Sequence, residues 1–339
     1  MLNVALLSKW HVHADDYASQ AVKNKSVSVK LVWDEDSKRG NEWAEELGVP
    51  LEPDLEKVLR NPEIDAVIIT SPTSLHKSII LAAADHKKHI FTEKVLAFTV
   101  KDCDEIYDAV NRNNIQLMVS LPKLTDNYFL FAQRVVEDGI LGRLTSVRCR
   151  VAHNGGIPFE GNPYGWLPSH FFSLNETGGG ALIDLGAHPI YLVNRLAGKA
   201  KAVTAVFQHV FGHEVEDSAT VTVEYESGII GSIETGFVTS FSPFQLELYG
   251  TDGALMIENE KIRYKNKRDN AQWQIPDQLP APLPMPFTQW VNSIINNEPT
   301  SIKKEDVQNL TLINQAASLS NKQGRRVQVS EIEKKGGFF

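Results

Sequence analysis

The chain has 339 residues, of which 42% are apolar and 22% are charged, and its formal net charge is −8. This is an ordinary globular composition, and the length exceeds what one hydrophobic core usually serves, so we expect two domains. The negative charge argues against nucleic acid or an anionic membrane as the main partner.

The two cysteines, Cys103 and Cys149, lie far apart in the sequence. They predict neither a disulfide framework nor a thiolate zinc site. Residues 1–30 lack the basic start and long apolar stretch of a signal peptide, and the chain has no uncharged apolar run of membrane-spanning length. We therefore expect a cytoplasmic protein that does not associate with membranes.

The first third of the chain alternates short apolar runs with helical patterns. The runs predict strands at 3–7, 27–33, 66–70, 89–92 and 115–119. The patterns predict helices at 14–23, 37–47, 74–86 and 100–111, and a short one capped by Asp54. Ser74 is a candidate cap for the helix that it begins. This alternation predicts an α/β fold with a doubly wound parallel sheet of the nucleotide-binding (Rossmann) type.

After residue 122 apolar and polar residues alternate, as at Val147, Cys149 and Val151. Such alternation, with turns between the segments, is typical of a large, mostly antiparallel sheet. A helix at 187–196 interrupts the strands, and helices at 286–297 and 304–322 are expected to pack back on the first domain. We therefore predict a dinucleotide-binding domain at 1–121 and a substrate-binding and oligomerisation domain at 122–339.

The turn after the first strand has no glycine. A dinucleotide site normally carries G-x-G-x-x-G there, but residues 7–14 read Leu-Ser-Lys-Trp-His-Val-His-Ala. The physical need is backbone N–H groups at a helix N-terminus that face phosphate, and a tight turn containing Ser8 can supply them. We take Ser8, Trp10, His11 and His13 as candidate cofactor-binding residues.

His11 and His13 also form an H-x-H pair, which binds metal at strand ends in amidohydrolase barrels. That site requires further histidine and aspartate ligands at later strand ends. The chain has eight other histidines and no pattern of eight parallel strands. We therefore predict no metal site, and we place His13 at the start of a helix near the cofactor.

The second and third predicted strands end in polar residues. Asp34 follows the first turn by about 20 residues, where an acid binds the adenosine ribose and favours NAD by repelling a 2′-phosphate. A solvated acidic turn explains Asp34 equally well, and Lys38 and Arg39 leave NADP open. The segment after the third strand contains further candidate cofactor-binding residues, namely Thr70, Ser71, Pro72, Thr73 and His76. Its small hydroxyl residues would let a ligand approach closely, and a plain loop is the alternative.

Glu93 and Lys94 stand side by side after the strand at 89–92. Charged side chains are mostly exposed, so a solvated turn explains the pair. The alternative is that Lys94 is an acid/base group at the carboxyl edge of an open α/β sheet, where such folds place their ligands.

The segment 178–188 reads Gly-Gly-Gly-Ala-Leu-Ile-Asp-Leu-Gly-Ala-His. Consecutive glycines are costly unless the backbone bends or passes close to another group. Asp184 and His188 are four residues apart and would share one face of a helix. A carboxylate beside an imidazole can tune it for proton transfer, whereas a helix-start aspartate and a buried histidine are the simpler explanation.

With both blocks in view, the chain resembles the Gfo/Idh/MocA oxidoreductases, which include glucose–fructose oxidoreductase and inositol dehydrogenase. The resemblance runs over nearly the whole chain and includes residues 70–76, 138–142, 216–217, 249–253 and 324–327. It implies a Rossmann domain followed by an α/β domain on an open, mostly antiparallel sheet. The family's usual chemistry is hydride transfer between NAD(P) and a hydroxyl carbon of a sugar or polyol.

The resemblance assigns Lys94, Asp184 and His188 as catalytic residues, with His188 moving the hydroxyl proton and Asp184 steering it. Two departures are the glycine-free first turn and Val95, which stands where proline is usual. A non-catalytic sugar- or nucleotide-sensing protein on the same scaffold is the alternative. Candidate substrate contacts are Lys123, Trp166 and His170, with Tyr164 beside them.

The resemblance also implies a homodimer or homotetramer joined through the second domain's sheet. Alternate apolar residues of that sheet must be covered, and an apolar face of this size is rarely left wet. The sequence offers Ile229, Ile230, Ile233, Phe237 and Val238 for such a face.

Overall fold

The computed structural model describes residues 1–259, 261–269 and 272–335. The chain forms two compact units. Unit 1 comprises residues 1–97, 101–120 and 284–303, and unit 2 comprises 98–100, 121–283 and 304–339. The domain limits 1–121 and 122–339 stay a prediction, and residues 336–339 of the second domain lie outside the described residues.

Thirteen strands are described. They are β1 (Leu2–Leu7), β2 (Val27–Trp33), β3 (Ala66–Ile69), β4 (His89–Thr92), β5 (Leu117–Val119), β6 (Leu144–Ala152), β7 (Ala200–Gln208), β8 (Ser218–Tyr225), β9 (Ile230–Gly236), β10 (Gln245–Gly250), β11 (Gly253–Glu258), β12 (Lys261–Asn266) and β13 (Val327–Gln328).

The α-helices in the described residues are α1 (Ala14–Lys23), α2 (Ser37–Leu47), α3 (Leu55–Arg60), α4 (Thr73–Asp85), α5 (Val100–Asn113), α6 (Asn127–Glu137), α7 (Leu174–Thr177), α8 (Ala187–Ala197), α9 (Pro286–Ile295), α10 (Lys304–Gln323) and α11 (Val329–Lys335). Short 3₁₀ turns lie at Pro122–Thr125, Ser169–Phe172 and Lys267–Asp269. Every described helix is too short or too polar to cross a membrane.

Unit 1 contains a five-stranded sheet in the order β2-β1-β3-β4-β5, with every pair parallel. This confirms the predicted doubly wound sheet. The sheet is covered on both faces, since all four residues of β3 are at most 2% exposed. Helix α9 packs against β4 and β5, where Phe287 and Trp290 contact Phe91.

Side-chain caps begin two of the helices. Asp36 accepts the N–H groups of Lys38 and Arg39 at the start of α2, and Asp54 accepts that of Glu56, as expected, at the start of α3. The prediction that Ser74 caps α4 is wrong. That helix begins at Thr73 after Pro72, without a side-chain cap, because the fixed φ of proline already suits the entry to a helix.

Unit 2 contains an eight-stranded sheet in the order β12-β11-β10-β6-β9-β8-β7-β13. Its pairs are antiparallel except for β6 and β9, so the predicted mostly antiparallel sheet is confirmed. Helix α8 packs against β6 and β9, and α10 packs against β7 and α8. These helices cover one face of the sheet. The expectation that the helix at 304–322 packs on the first domain is therefore wrong, because α10 is part of unit 2.

The other face of that sheet is mostly polar, although Ile230 and Val206 are 43% and 62% exposed on it. Glu234 on β9 pairs with Arg148 over 2.7 Å and with Arg150 over 3.0 Å. Alternation sends Ile233 and Phe237 into the unit's own core, where both are 0% exposed. The expectation that these two side chains form an apolar outer face is therefore wrong, because the register places polar residues there.

Candidate active site

Ser8 begins the turn between β1 and α1, where a dinucleotide-binding chain usually carries its first glycine. Its φ of 76° lies in the left-handed region that glycine adopts most easily. The Ser8 hydroxyl donates to Glu35 Oε1 over 2.9 Å and accepts the Trp10 N–H over 3.1 Å. Hydrogen bonds of the Ser8 side chain therefore stabilise a backbone conformation that is usually adopted by glycine.

The backbone N–H groups of this turn already have acceptors. Those of Ser8, Lys9, His11 and His13 donate to Trp33 O, Asp34 Oδ2, Thr70 O and His11 Nδ1, over 2.7, 2.7, 3.1 and 3.2 Å. The Lys9 ammonium pairs with Asp15 and Glu46. A phosphate can bind these N–H groups, as at other helix N-termini, only if it replaces their present acceptors.

Asp34 is 3% exposed at the end of β2. Its Oδ2 accepts the Lys9 N–H and Arg39 Nε over 2.7 and 3.0 Å, and its Oδ1 accepts the Asp36 N–H and Arg39 Nη2, each over 2.7 Å. Arg39 Nη2 also lies 2.6 Å from Glu35 Oε1. The carboxylate predicted to bind ribose thus holds Arg39 in a part-buried, bidentate pair.

The loop after β3 supports the segment that follows β4. Thr70 Oγ1 donates to Ser8 O over 2.5 Å, and Pro72 and Thr73 lead into α4. His76 is 1% exposed, and its two ring nitrogens lie 2.9 Å from Val95 O and 3.2 Å from Ser71 O. Burial lowers the pKa of His76 despite these carbonyl contacts, so the neutral ring donates to one of them at a time.

Glu93 and Lys94 are buried at the carboxyl end of β4, at 2% and 5% exposure. Lys94 Nζ lies 3.6 Å and His13 Nδ1 lies 3.4 Å from Glu93 Oε1. The Tyr17 hydroxyl donates to Glu93 Oε2. The solvated-turn explanation of this pair does not hold, because both side chains are inside the protein.

Electrostatics keep the Glu93 carboxylate ionised. Burial by itself would raise its pKa, but His11, His13 and Lys94 outweigh burial and hold the pKa of Glu93 far below its usual value. Burial and the neighbouring Glu93 charge raise the pKa of Tyr17 well above its usual value, so Tyr17 remains a proton donor to the carboxylate. The cluster is a buried anion surrounded by donors.

In unit 2, Glu216 fixes the glycine block. Its carboxylate accepts the Gly180 and Leu182 N–H groups, each over 2.9 Å, and its carbonyl accepts the Ala181 N–H over 2.8 Å. A Cβ on Gly180 would lie 1.9 Å from Glu216 O. The glycine is therefore required by close backbone approach, as the sequence indicated.

The predicted helix at 187–196 is confirmed as α8, which begins at Ala187 and carries His188. Asp184 lies in the turn before this helix, where Glu216 holds the chain in an irregular path, so Asp184 and His188 do not share one helical face. His188 Nδ1 lies 2.8 Å from the Tyr191 hydroxyl, which also accepts the Lys123 N–H over 3.2 Å. With the proton on Nδ1, Nε2 is the basic nitrogen of the His188 ring.

The predicted substrate residues of unit 2 lie among aromatic rings. Trp166 is 56% exposed, and its ring centroid lies 4.9 Å from that of His153. Tyr164 stacks on His213 at 5.4 Å, and the half-buried His170 lies 5.3 Å from Phe171. Lys123 Nζ lies 5.3 Å from the centre of the Phe244 ring. An exposed indole is suited to contact a ligand such as a sugar ring.

Three residues that support the candidate site were missed as functional residues. Tyr17 lies one helical turn after His13, and Tyr191 lies three residues after His188. Such i, i+3 and i, i+4 spacings were the available signal. Residues 216–217 belong to the family resemblance, but no local signal indicated the role of Glu216, because its partners are 34 and 36 residues away.

A parallel sheet in this strand order, with polar groups gathered at its carboxyl edge, defines a nucleotide-binding class of fold. Two family models agree. "Oxidoreductase family, NAD-binding Rossmann fold" matches residues 9–121, and "GFO/IDH/MocA C-terminal domain" matches residues 129–256. The chain belongs to the Gfo/Idh/MocA family of oxidoreductases, as its resemblance implied, and carries that family's NAD-binding domain.

Curated relatives include levoglucosan dehydrogenase of Pseudarthrobacter phenanthrenivorans, which is 28% identical over 61% of this chain and 59% of its own length. Scyllo-inositol 2-dehydrogenase (NAD(+)) of Bacillus subtilis is 27% identical over 65% of this chain and 63% of its own length. An uncharacterized oxidoreductase of Streptococcus pneumoniae is 27% identical over 70% and 63%. The match thus spans about three-fifths of these relatives' lengths.

Solved structures share the fold over nearly the whole chain. Levoglucosan dehydrogenase in complex with NADH and L-sorbose superposes with a TM-score of 0.82 at 23% identity, covering 97% of this chain and 98% of that one. An NAD-binding protein from Listeria innocua gives a TM-score of 0.80 at 23% identity, covering 96% of each chain.

We predict that Gly180→Ala destabilises the protein, whereas Gly179→Ala has a smaller effect. The added methyl at position 180 meets the rigid Glu216 carbonyl, while that at 179 has the Ile183 side chain as its nearest neighbour, at 3.3 Å. Overpacking of this kind costs about 1–3 kcal/mol. Urea unfolding of both variants tests this, and equal midpoints would contradict the close approach.

Proposed function

We propose that the protein is an NAD-dependent dehydrogenase that transfers hydride between nicotinamide and a hydroxyl carbon of a sugar, inositol or related polyol (EC 1.1.1.-). The observation that carries the proposal is the buried Lys94–Glu93 pair at the carboxyl edge of a family NAD-binding sheet. A buried lysine beside a carboxylate is a group whose proton affinity its environment can set, as acid/base catalysis requires.

The proposed roles follow from the chemistry of alcohol oxidation. Nicotinamide, when bound, accepts the hydride from the carbon that carries the hydroxyl. Lys94 would hydrogen-bond this hydroxyl, and His188 would accept its proton as the carbonyl forms, then return it in the reverse direction. Tyr191 orients the His188 ring, and Asp184 is proposed to steer it. The joint action of Lys94 and His188 rests on the family assignment.

The structure supports the nicotinamide end of the proposed cofactor site more strongly than the phosphate end. Glu93 and Lys94 offer buried polar groups at the strand edge, and Thr70, Ser71 and Pro72 line the neighbouring loop. At the first turn the N–H groups already have acceptors. We propose that the residues of this turn, Ser8, Trp10, His11 and His13, hold the dinucleotide with side chains as well as backbone, together with Asp34, Thr73 and His76.

The substrate class rests on the relatives. Levoglucosan dehydrogenase and scyllo-inositol 2-dehydrogenase are named for cyclic polyhydroxylated compounds. In unit 2, the exposed Trp166 offers a face for such a ring, and Lys123 and His170 offer polar contacts. A homodimer or homotetramer and a cytoplasmic location remain part of the proposal, with assembly testable by light scattering.

We predict that Lys94→Met and His188→Ala each lower kcat by roughly 10²–10⁴-fold, the usual contribution of a general acid or base. The assay follows reduced cofactor at a panel of sugars, inositols and sugar acids with NAD. The matched controls, Lys57→Met and His86→Ala, change the same residue types on helix α3 and at the end of α4.

Wild-type rates in both Lys94→Met and His188→Ala would contradict the assigned roles. Tight sugar binding with no nicotinamide binding at millimolar concentration would instead favour a sensing protein on this scaffold. Calorimetry with NAD and a sugar therefore separates an error in the roles from an error in the function.

The cofactor preference can be tested at Glu35. Because Arg39 is engaged by Asp34 and Glu35, a 2′-phosphate would meet two carboxylates, so we predict tighter binding of NAD than of NADP. Glu35→Gln should narrow the difference about two- to fivefold, since one part-exposed charge contributes about 0.5–1 kcal/mol. Calorimetry measures both affinities, with the exposed Glu42→Gln as control. Stronger NADP binding by the wild type would refute the preference.

A further inference from the structure

Three side chains of unit 1 that the proposed cofactor site includes also form a compact group of metal-ligating type. His11, His13 and Glu93, here called the His–His–Glu cluster, each offer a ligand atom, and these atoms lie within 4.8 Å of one another. The histidines come from the turn after β1, and the glutamate follows β4. Strands β1 and β4 flank β3 in the parallel sheet, so their carboxyl ends lie at the same edge and bring these residues together.

The spacing of the cluster suits a single metal ion. His13 Nδ1 and Glu93 Oε1 are 3.4 Å apart, and bonds of about 2.0–2.1 Å to tetrahedral zinc place two ligand atoms about 3.4 Å apart. The widest pair, at up to 4.8 Å, must close by up to about 1.4 Å to reach that spacing. The His13 side chain, which is 39% exposed, has room to rotate for this.

Neighbouring groups orient the ligands as outer partners do in metal sites. The Tyr17 hydroxyl donates to Glu93 Oε2, which leaves Oε1 facing His13. The His13 N–H lies 3.2 Å from His11 Nδ1. A metal on Nδ1 of His11 would take the place of the His13 backbone N–H. A metal on Nε2 would leave the ring proton on Nδ1, so the hydrogen bond from His13 would break.

We propose that the His–His–Glu cluster binds one divalent transition-metal ion of the zinc type. Two imidazoles and a carboxylate suit zinc and its neighbours, whereas magnesium and calcium prefer oxygen ligands. Three protein ligands leave a coordination position for water or a ligand oxygen. This site replaces the sequence-based expectation of no metal, which sought histidine and aspartate ligands and did not consider Glu93.

A substitution at Lys94 distinguishes a bound cation from a bound anion. Its ammonium lies 3.6 Å from Glu93 Oε1 and would compete with a cation for that oxygen. Lys94→Met should therefore strengthen metal binding, whereas it would weaken the binding of an anion such as phosphate.

The experiment titrates the chelator-treated full chain with Zn²⁺ by calorimetry and with Co²⁺ by visible absorbance. We expect one ion per chain with micromolar or tighter affinity, and the d–d bands of a nitrogen- and oxygen-ligated Co²⁺. Tyr17→Phe should weaken binding roughly 10–100-fold, as loss of an outer partner does. His11→Ala and His13→Ala should each weaken it further.

The matched control is His86→Ala, because His86 Nε2 and Glu56 Oε1 form a surface pair that is also 3.4 Å apart. The affinity of the His86→Ala variant for Zn²⁺ should equal that of the wild type. Absence of Co²⁺ bands in the wild type would overturn the proposal without reliance on any variant. Equal metal affinity in wild type, His11→Ala and His13→Ala would also overturn it. The number of metal ions bound per chain is measured without catalytic turnover. A protein that binds no metal would therefore not argue against the proposed dehydrogenase activity.

Discussion

The candidate site in unit 1 depends on a buried negative charge at the end of β4. A carboxylate without partners would be costly to bury, and Glu93 is 2% exposed. Tyr17 satisfies one oxygen, while His13 and Lys94 face the other. The requirement to compensate this charge links the first turn, α1 and the end of β4.

A second buried carboxylate has a different role in unit 2. Burial raises the pKa of Glu216, and the N–H groups of Leu182 and Gly180 oppose this rise. The carboxylate thereby fixes the backbone just before the segment that carries Asp184 and His188. Glu93 gathers side chains that can act chemically, whereas Glu216 positions backbone.

The sequence predicted the elements well where local pattern dominates. The helix at 14–23 and the strand at 27–33 match the structure residue for residue, because burial and period agree there. The sequence-based predictions failed where contacts between residues far apart in the chain determine the local structure. The irregular turn at Asp184 depends on Glu216, and Ile233 faces inward because of strand register. The closeness of His11, His13 and Glu93 required the order of parallel strands, which composition alone does not give.

The most direct test of the account is diffraction from crystals of the protein grown with saturating NAD. We expect the nicotinamide at the carboxyl edge of β4, with its reactive face toward the Lys94 ammonium and beside Glu93. A dinucleotide bound at another surface, or a β4 edge that holds no nicotinamide at saturation, would contradict this expectation.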